Sequence, residues 1–361
     1  MASITFLKRV SLLACLLFFS LLFWGILHIS AVSGIAEGVL NGEPTPTGPS
    51  TAYQPAKYEP AHGCYLGAYV LQDELIEGNM KTFNTLTGKK HASFFRYFGY
   101  KIGELDDLQA WLNEVEAVGA AAHIALEPNL GLDSVLDDEY LHNLAQLLGE
   151  SGRPIFLRYA SEMNGDWTNY SGDPELYIEK WRLLHDVMEK EAPNVIMVWT
   201  VFTSPTSTMA AYYPGDAYVD WVGVNIYNVV YHNNDIEQYA ADEDPLELLD
   251  YVYDTYSDKK PIQISEYGVT HYTVTDNAKY VDFAISKLER LYKGLKTDYP
   301  RVKSIFYFDV NNTANAPEGR QINNYALTDE LRILETYKSL IADPYFLSDL
   351  QPASLQSMVH K

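Results

Sequence analysis

Cysteine is almost absent from this chain of 361 residues: there are two, and only Cys64 lies beyond the apolar N-terminal stretch, which excludes an internal disulfide from the body of the protein. Cys64 is expected as a core thiol of the first strand. Positive charge is scarce as well, with 26 Lys and Arg against 48 Asp and Glu and a formal net charge of −22, a balance that repels phosphate backbones and anionic membranes. Nucleic acid is therefore not expected as a partner. The chain has no Gly-x-Gly-x-x-Gly or Gly-x-x-x-x-Gly-Lys loop to cradle a nucleotide and no Gly-x-Ser-x-Gly elbow after a strand. None of its 9 His stands in a His-Glu-x-x-His or similar ligand cluster, and the acidic run Asp242-Glu243-Asp244 lacks calcium-loop spacing and reads as a solvated turn. No metal and no cofactor is implied.

A long hydrophobic run occurs once. Lys8 and Arg9 precede apolar sequence from Val10 to Ile29, the charge-then-hydrophobic order of an export signal. Ala31-Val32-Ser33 offers a small-residue cleavage site, yet a run of about twenty apolar residues also suffices to span a bilayer. Residues 1–33 thus read as a signal peptide or as an uncleaved signal-anchor attached through residues 10–29, and both readings stay open. Leu12-Leu13-Ala14-Cys15 faintly resembles a lipoprotein box, but the apolar run continues well past Cys15. Either way the expected location is extracellular, secreted or held on the outer face of the cytoplasmic membrane. Residues 34–61, which include Glu43-Pro44-Thr45-Pro46-Thr47-Gly48-Pro49-Ser50, are too rich in Gly, Pro, Thr and Ser to bury a core and read as a linker.

The remainder, residues 62–345 with a tail at 346–361, alternates short β-branched or aromatic runs with longer amphipathic stretches. Strands are expected over 64–70, 92–97, 120–126, 154–160, 195–201, 219–226, 261–265 and 302–308. Between the fourth and fifth, Asp173 followed by Pro174 begins a helix whose Tyr177, Trp181, Leu184 and Met188 share a face, ending near Ala192-Pro193. Val281, Ile285, Leu288, Tyr292 and Leu295 mark a second helix, with Thr275 or Asp276 as its expected cap, and Leu331, Leu334 and Ile341 mark a third. Repeated strand-helix pairs over this length favour a closed (β/α)8 TIM barrel, a single α/β domain, over a doubly wound open sheet. Chemistry in such a barrel sits where strands end and the following loops begin.

Two carboxylates occupy such positions. The fourth strand runs into Ser161-Glu162-Met163-Asn164-Gly165-Asp166-Trp167, and the seventh into Ser265-Glu266-Tyr267-Gly268. Cleaving a glycosidic bond needs an acid to protonate the leaving oxygen and a second carboxylate to attack the anomeric carbon or activate water; carboxyls about 5 to 5.5 Å apart imply retention, about 6.5 to 9.5 Å inversion. Aromatics at 13%, with 28 Tyr and 6 Trp, suit sugar faces, although most will simply fill the rims of core layers.

With Glu-Met-Asn-Gly-Asp-Trp after the fourth strand and Ser-Glu-Tyr-Gly after the seventh, the chain resembles glycoside hydrolase family 26, over roughly Gly63 to Ala342. The resemblance implies a retaining clan A glycosidase, an endo-β-mannanase or endo-β-glucanase with some β-1,3-xylanase relatives, with Glu162 as acid/base and Glu266 as nucleophile. Mannanases of that family usually carry His directly before the acid/base, and Ser161 stands there instead. A hydroxyl carries no charge, so the field on Glu162 and the sugar contacts are expected to differ.

By the same resemblance the Tyr227 hydroxyl holds the nucleophile. Trp167 is expected as a sugar-stacking wall and Asn164 as a substrate contact, while Arg158 either holds a carboxylate ionised or forms a structural ion pair. Glu127, after the third strand, is read as a contact to sugar hydroxyls or as a solvated loop residue. Trp199 and Phe202 suit core or subsite wall, and His271 either reaches a sugar or sits on the surface. The expected partner is a β-linked polysaccharide, β-1,4-mannan or mixed-linkage β-1,3-1,4-glucan, cut by a monomer through a covalent glycosyl-enzyme intermediate. A tethered, non-catalytic glycan-binding barrel and a transglycosylase using the same intermediate are the alternatives. A binding module has no need of two carboxylates at these strand ends.

Overall fold

Period-two alternation along the short apolar runs decides the architecture, because successive side chains of a strand face opposite sides of the sheet. In the computed structural model, which describes residues 53–351, eight parallel strands follow chain order: β1 (Cys64–Tyr69), β2 (Ser93–Gly99), β3 (Ala121–Glu127), β4 (Ile155–Tyr159), β5 (Val195–Phe202), β6 (Trp221–Asn228), β7 (Ile262–Val269) and β8 (Val302–Phe308). Each pairs with its neighbours and β8 pairs with β1, with Tyr65 opposite Ser304 and Tyr69 opposite Phe308, so the sheet closes into a barrel. The expected eight strands are all present, with ends shifted by a residue or two except for β7.

One set of alternating side chains fills the barrel and the other packs under the helices. Tyr65, Tyr69, Phe95, Phe156, Val198, Trp221, Phe306 and Phe308 form the inner cluster. Leu66, Phe94, Ile124, Leu157, Val224, Ile264 and Ile305 belong to the outer one. Cys64 is buried with the outer set, as expected of a core thiol. Gly67 makes the inner layer possible: a Cβ there would lie 2.2 Å from the Phe306 ring. His123 sits in this aromatic layer, 4.4 Å from the Phe306 centroid, and neither of its ring nitrogens has a partner among the described residues. Burial first, and then the nearby Arg158 charge, hold its pKa well below the ordinary histidine value, so the ring is neutral.

The longer helices among the described residues are α1 (Met80–Thr87), α2 (Leu105–Ala117), α3 (Glu139–Glu150), α4 (Pro174–Glu191), α5 (Glu247–Tyr256), α6 (Val281–Thr297) and α7 (Leu331–Ile341). In α4 the Asp173 side chain accepts from Leu176 N at 3.0 Å, Pro174 occupies the first turn, and Tyr177, Trp181, Leu184 and Met188 are buried. Four expectations need correction. The β5–β6 connection holds no α-helix, only 3-10 turns at Thr206–Tyr212 and Asp216–Tyr218, because Pro205 and Pro214 bracket the first and deny a longer helix its hydrogen bonds. Helix α6 begins after Tyr280 without a side-chain cap; Thr275 and Asp276 instead lie in a small hairpin whose strands are Tyr272–Thr273 and Ala278–Lys279. On α7, Leu331 is exposed. The run at 242–244 is more than a solvated turn, since Asp244 accepts from Leu246 N at 2.9 Å and pairs with Arg290.

The base of the barrel is closed by segments outside the strands. Trp221 Nε1 donates to Lys57 O at 2.9 Å, Tyr65 hydroxyl donates to Tyr58 O at 3.0 Å, and Glu59 pairs with Arg301, so the last residues of the expected linker pack against the fold. Phe346–Leu347 adds a short parallel strand beside Cys64–Tyr65, and the ordered fold continues into the expected tail. The apolar run at 10–29 lies outside the described residues. Among the described residues no helix is long and apolar enough to cross a membrane.

Candidate active site

At the opposite end, the loops after the strands bring both glutamates together. After Tyr159 the chain leaves the β4–β5 ladder: Ala160 N bonds to Leu126 O on β3 and Glu162 N to Thr200 O on β5. To straddle the two strands the backbone turns left-handed twice, at Ala160 (φ 46°) and Glu162 (φ 61°). Side chains other than glycine adopt that conformation at a cost of order 1–3 kcal/mol, and such costs concentrate at functional sites.

Glu266 is reached differently. Strand β7 continues through it to Val269, beyond the expected end at Ser265, and a register shift makes Asn225 the partner of Glu266 where Val224 had paired with Ile264. The extra residue is Ser265, whose hydroxyl lies 3.1 Å from Thr200 Oγ1 inside the barrel. The bulge swings Glu266 inward. Gly223 underlies this step, since a Cβ there would lie 2.2 Å from Thr200 Oγ1 and 2.4 Å from Ser265 Oγ.

The two carboxylates have unlike surroundings. Glu266 is buried; its Oε1 accepts from Arg158 Nη2 at 2.5 Å and from the Tyr97 hydroxyl at 2.7 Å, and its Oε2 from the Tyr227 hydroxyl. Arg158 is fully buried, has only donors, and stacks its guanidinium over Phe95 and Tyr97 at 5.4 and 5.6 Å, with its ion pair made to Glu266. Glu162 meets only neutral donors, with Oε1 accepting from Asn225 Nδ2 at 2.6 Å and Oε2 from Trp167 Nε1 at 2.9 Å. Burial, followed by the negative charge of Glu266, raises the Glu162 pKa above the ordinary carboxylate value. One group is thus paired with a buried cation, and the other is biased toward holding a proton.

Trp167 stands edge-on to Phe202 with centroids 5.3 Å apart, both part-exposed, and folds over Gly165, where a Cβ would lie 2.3 Å from its ring. Trp199, by contrast, is buried in the outer layer against Tyr213 and Tyr256. The structure places three expected contacts elsewhere. Asn164 is buried with its amide committed to backbone, donating to Phe202 O and Pro205 O and accepting from Phe202 N, so it clamps the β5 loop rather than facing the mouth. Ser161 donates to Glu127 Oε1 at 2.8 Å, and Tyr170 hydroxyl bonds Glu127 Oε2, which leaves Glu127 buried and engaged instead of solvated. His271 is also buried, 2.9 Å from Ala326 O, and neither reaches the mouth nor sits on the surface.

Tyr97 and Asn225 are site residues that sequence reasoning missed. Each had a signal: Tyr97 shares the inward face of β2 with Phe95, and Asn225 is an amide in the middle of an apolar strand, two positions before Tyr227 and hence on its face. Tyr170, in a loop, carried none.

Comparison with known proteins falls on this same region. The model for "Glycosyl hydrolase family 26" matches residues 121–267, from the first residue of β3 to the residue after Glu266. Residues 121–267 are thus similar to glycoside hydrolase family 26. The chain is 30% identical over 116 residues to the beta-1,3-xylanase TXYA of a Vibrio species, covering 30% of this chain and 25% of that protein. It is 28% identical over 181 residues to endoglucanase H of Acetivibrio thermocellus, covering 46% of this chain and 20% of that protein. The chain therefore spans about a quarter or less of the curated relatives it matches. Among solved structures, a modular endo-beta-1,4-mannanase from Cellulomonas fimi aligns with a TM-score of 0.56 at 18% identity, over 79% of this chain and 72% of that one, a likeness of fold.

Proposed function

We propose that this chain is a retaining endo-β-glycanase that hydrolyses a β-linked polysaccharide, β-1,4-mannan or mixed-linkage β-1,3-1,4-glucan, by double displacement. The observation that carries the reading is the unlike pair at the mouth: Glu266 paired with Arg158 and held by two phenols, Glu162 met by neutral donors with its pKa raised. A carboxyl biased toward keeping its proton suits the acid, and one paired with a buried cation suits the nucleophile. Glu162 protonates the glycosidic oxygen as the bond to the anomeric carbon breaks, and the Glu266 carboxylate forms the new bond to that carbon. Glu162, now ionised, then takes a proton from water, whose oxygen attacks the anomeric carbon and releases Glu266. Trp167 and Phe202 wall the sugar beside the acid.

The relatives are named as acting on β-1,3-xylan and β-1,4-mannan or as an endoglucanase, which supports a β-glycan substrate class. The test is reducing-sugar release from mannan, glucomannan, mixed-linkage glucan and β-1,3-xylan, with the first-formed anomer followed by NMR. Release of the β-anomer, lost in Glu266→Ala, is expected. An α-anomer would overturn retention, and binding without release would favour a non-catalytic barrel. Export to the cell exterior is part of the proposal, on the strength of Lys8, Arg9 and the apolar run at 10–29; recovery of the full-length protein in the cytosolic fraction would refute it.

A further inference from the structure

Behind Glu162 lies a third carboxyl that the proposed mechanism does not use. Glu127 ends β3, is buried, and contacts the peptide carrying the acid/base through two partners. Ser161 hydroxyl donates to its Oε1 at 2.8 Å. Tyr170 hydroxyl lies against its Oε2 and, at 2.9 Å, against the Ser161 carbonyl oxygen. A phenol has one proton, and here it faces two acceptors. If Glu127 is ionised, the proton goes to the carboxylate and the Ser161 carbonyl goes without; if Glu127 is a neutral acid, its own proton goes to the Tyr170 oxygen and the phenol serves the carbonyl. The second arrangement closes a ring in which Glu127 donates to Tyr170, Tyr170 to Ser161 O, and Ser161 Oγ back to Glu127.

We infer that Glu127 is a neutral carboxylic acid in the working enzyme, and that it is a positioning residue whose ring of hydrogen bonds holds the Ser161–Glu162 peptide in its left-handed turn. The inference rests on the glycanase reading for its catalytic consequence, not for the ring itself. The groups facing Glu127 are Arg158 and Tyr159 from β4, Glu162 and Tyr170 from the loop after β4, and Tyr177 from α4. Burial outweighs the Arg158 charge among them and lifts the Glu127 pKa to about 7. Ser161 thus joins the acid/base to a carboxyl that keeps its proton. When Glu127 ionises above neutrality it adds a second negative charge beside Glu162, so the acid/base stays protonated further into the alkaline range.

The experiment compares the full-length protein with Glu127→Gln and Glu127→Ala. Glutamine keeps both ends of the ring without a titratable proton, so its kcat/KM near pH 5.5 is expected within about threefold of the parent, while alanine loses about tenfold or more. The alkaline limb of Glu127→Gln is expected to move to lower pH by about half a unit, because the charge that props up Glu162 is missing. Equal loss in both variants, or an unmoved limb, overturns the inference. The infrared difference between the parent and Glu127→Gln near about pH 5.5, where an ordinary glutamate is ionised, is expected to show a carboxylic-acid carbonyl band. Tyr170→Phe, which removes the acceptor of that proton, is expected to shift the band to higher frequency. A carboxylate signal instead, unaffected by Tyr170→Phe, refutes the neutral acid. Neither infrared result depends on turnover, so failure of the glycanase reading and failure of this one are separable.

Discussion

The side-chain amide of Asn225 donates to Glu162 Oε1 at 2.6 Å while its own oxygen accepts from Arg158 Nη1 at 3.2 Å. Since Arg158 also holds Glu266, the two carboxylates are joined through one amide and one guanidinium. Asn225→Asp removes the donor and adds negative charge beside the acid, so it is expected to move the alkaline limb of kcat/KM upward. Asn225→Ala is expected to cost about tenfold or more in kcat with little change in KM, as for a group acting on the acid and not on substrate affinity. Initial-rate pH profiles check both.

Tyr97 and Tyr227 donate to opposite oxygens of Glu266. Removing either hydroxyl by Phe keeps the ring and loses one hydrogen bond to an ion, worth about 1.5–3 kcal/mol, or roughly tenfold to a hundredfold in kcat/KM. Because both bonds hold one carboxylate, the double variant is expected to deviate from additivity by about 0.5 kcal/mol or more in a double-mutant cycle.

How much of this was legible in the sequence follows from chain distance. The strand count and the positions of Glu162 and Glu266 were readable because each strand end carries its own local pattern. Tyr97, Asn225 and Arg158 come from β2, β6 and β4, and only closure of the sheet shows that all three converge on one carboxylate pair. Glu127 reads in sequence as a sugar contact or a solvated loop acid, because the residue that covers it, Tyr170, belongs to a different loop. Asn164 has the right chemistry for a sugar, but the backbone at Phe202 and Pro205 competes for the same amide and takes it.

Gly223→Ala tests the bulge. The added methyl would meet Thr200 Oγ1 at 2.2 Å and Ser265 Oγ at 2.4 Å, within a strand pair that has no room to part. Overpacking of this kind is expected to cost about 1–3 kcal/mol in urea denaturation, and turnover should fall further because Ser265 precedes Glu266, the proposed nucleophile.

Stability should fall with rising pH across the neutral range. Glu127 is raised from 4.5 to about 7, Glu162 is raised, and the fully buried Asp309, beside Asp73, is raised well above its ordinary value, in each case by burial first. A carboxyl whose folded pKa exceeds its unfolded one contributes stability below the unfolded value and loses it as pH climbs through the folded one. For Glu127 that window runs from 4.5 to about 7. Calorimetric scans are expected to give a higher Tm near about pH 5 than near pH 8, and Asp309→Asn, which removes one of these buried acids while keeping an acceptor for Leu327 N, should flatten the slope.

The closure of the barrel base fixes how the molecule can be held. Residues 57–59 cover the starts of β5, β6 and β8, and Phe346–Leu347 lies beside the start of β1, with Gln351 N donating to the Tyr65 hydroxyl at 2.9 Å. Both ends of the described chain therefore depart from the pole opposite Glu162 and Glu266. A chain gripped by that pole would present Glu162 and Glu266 outward, away from its point of attachment.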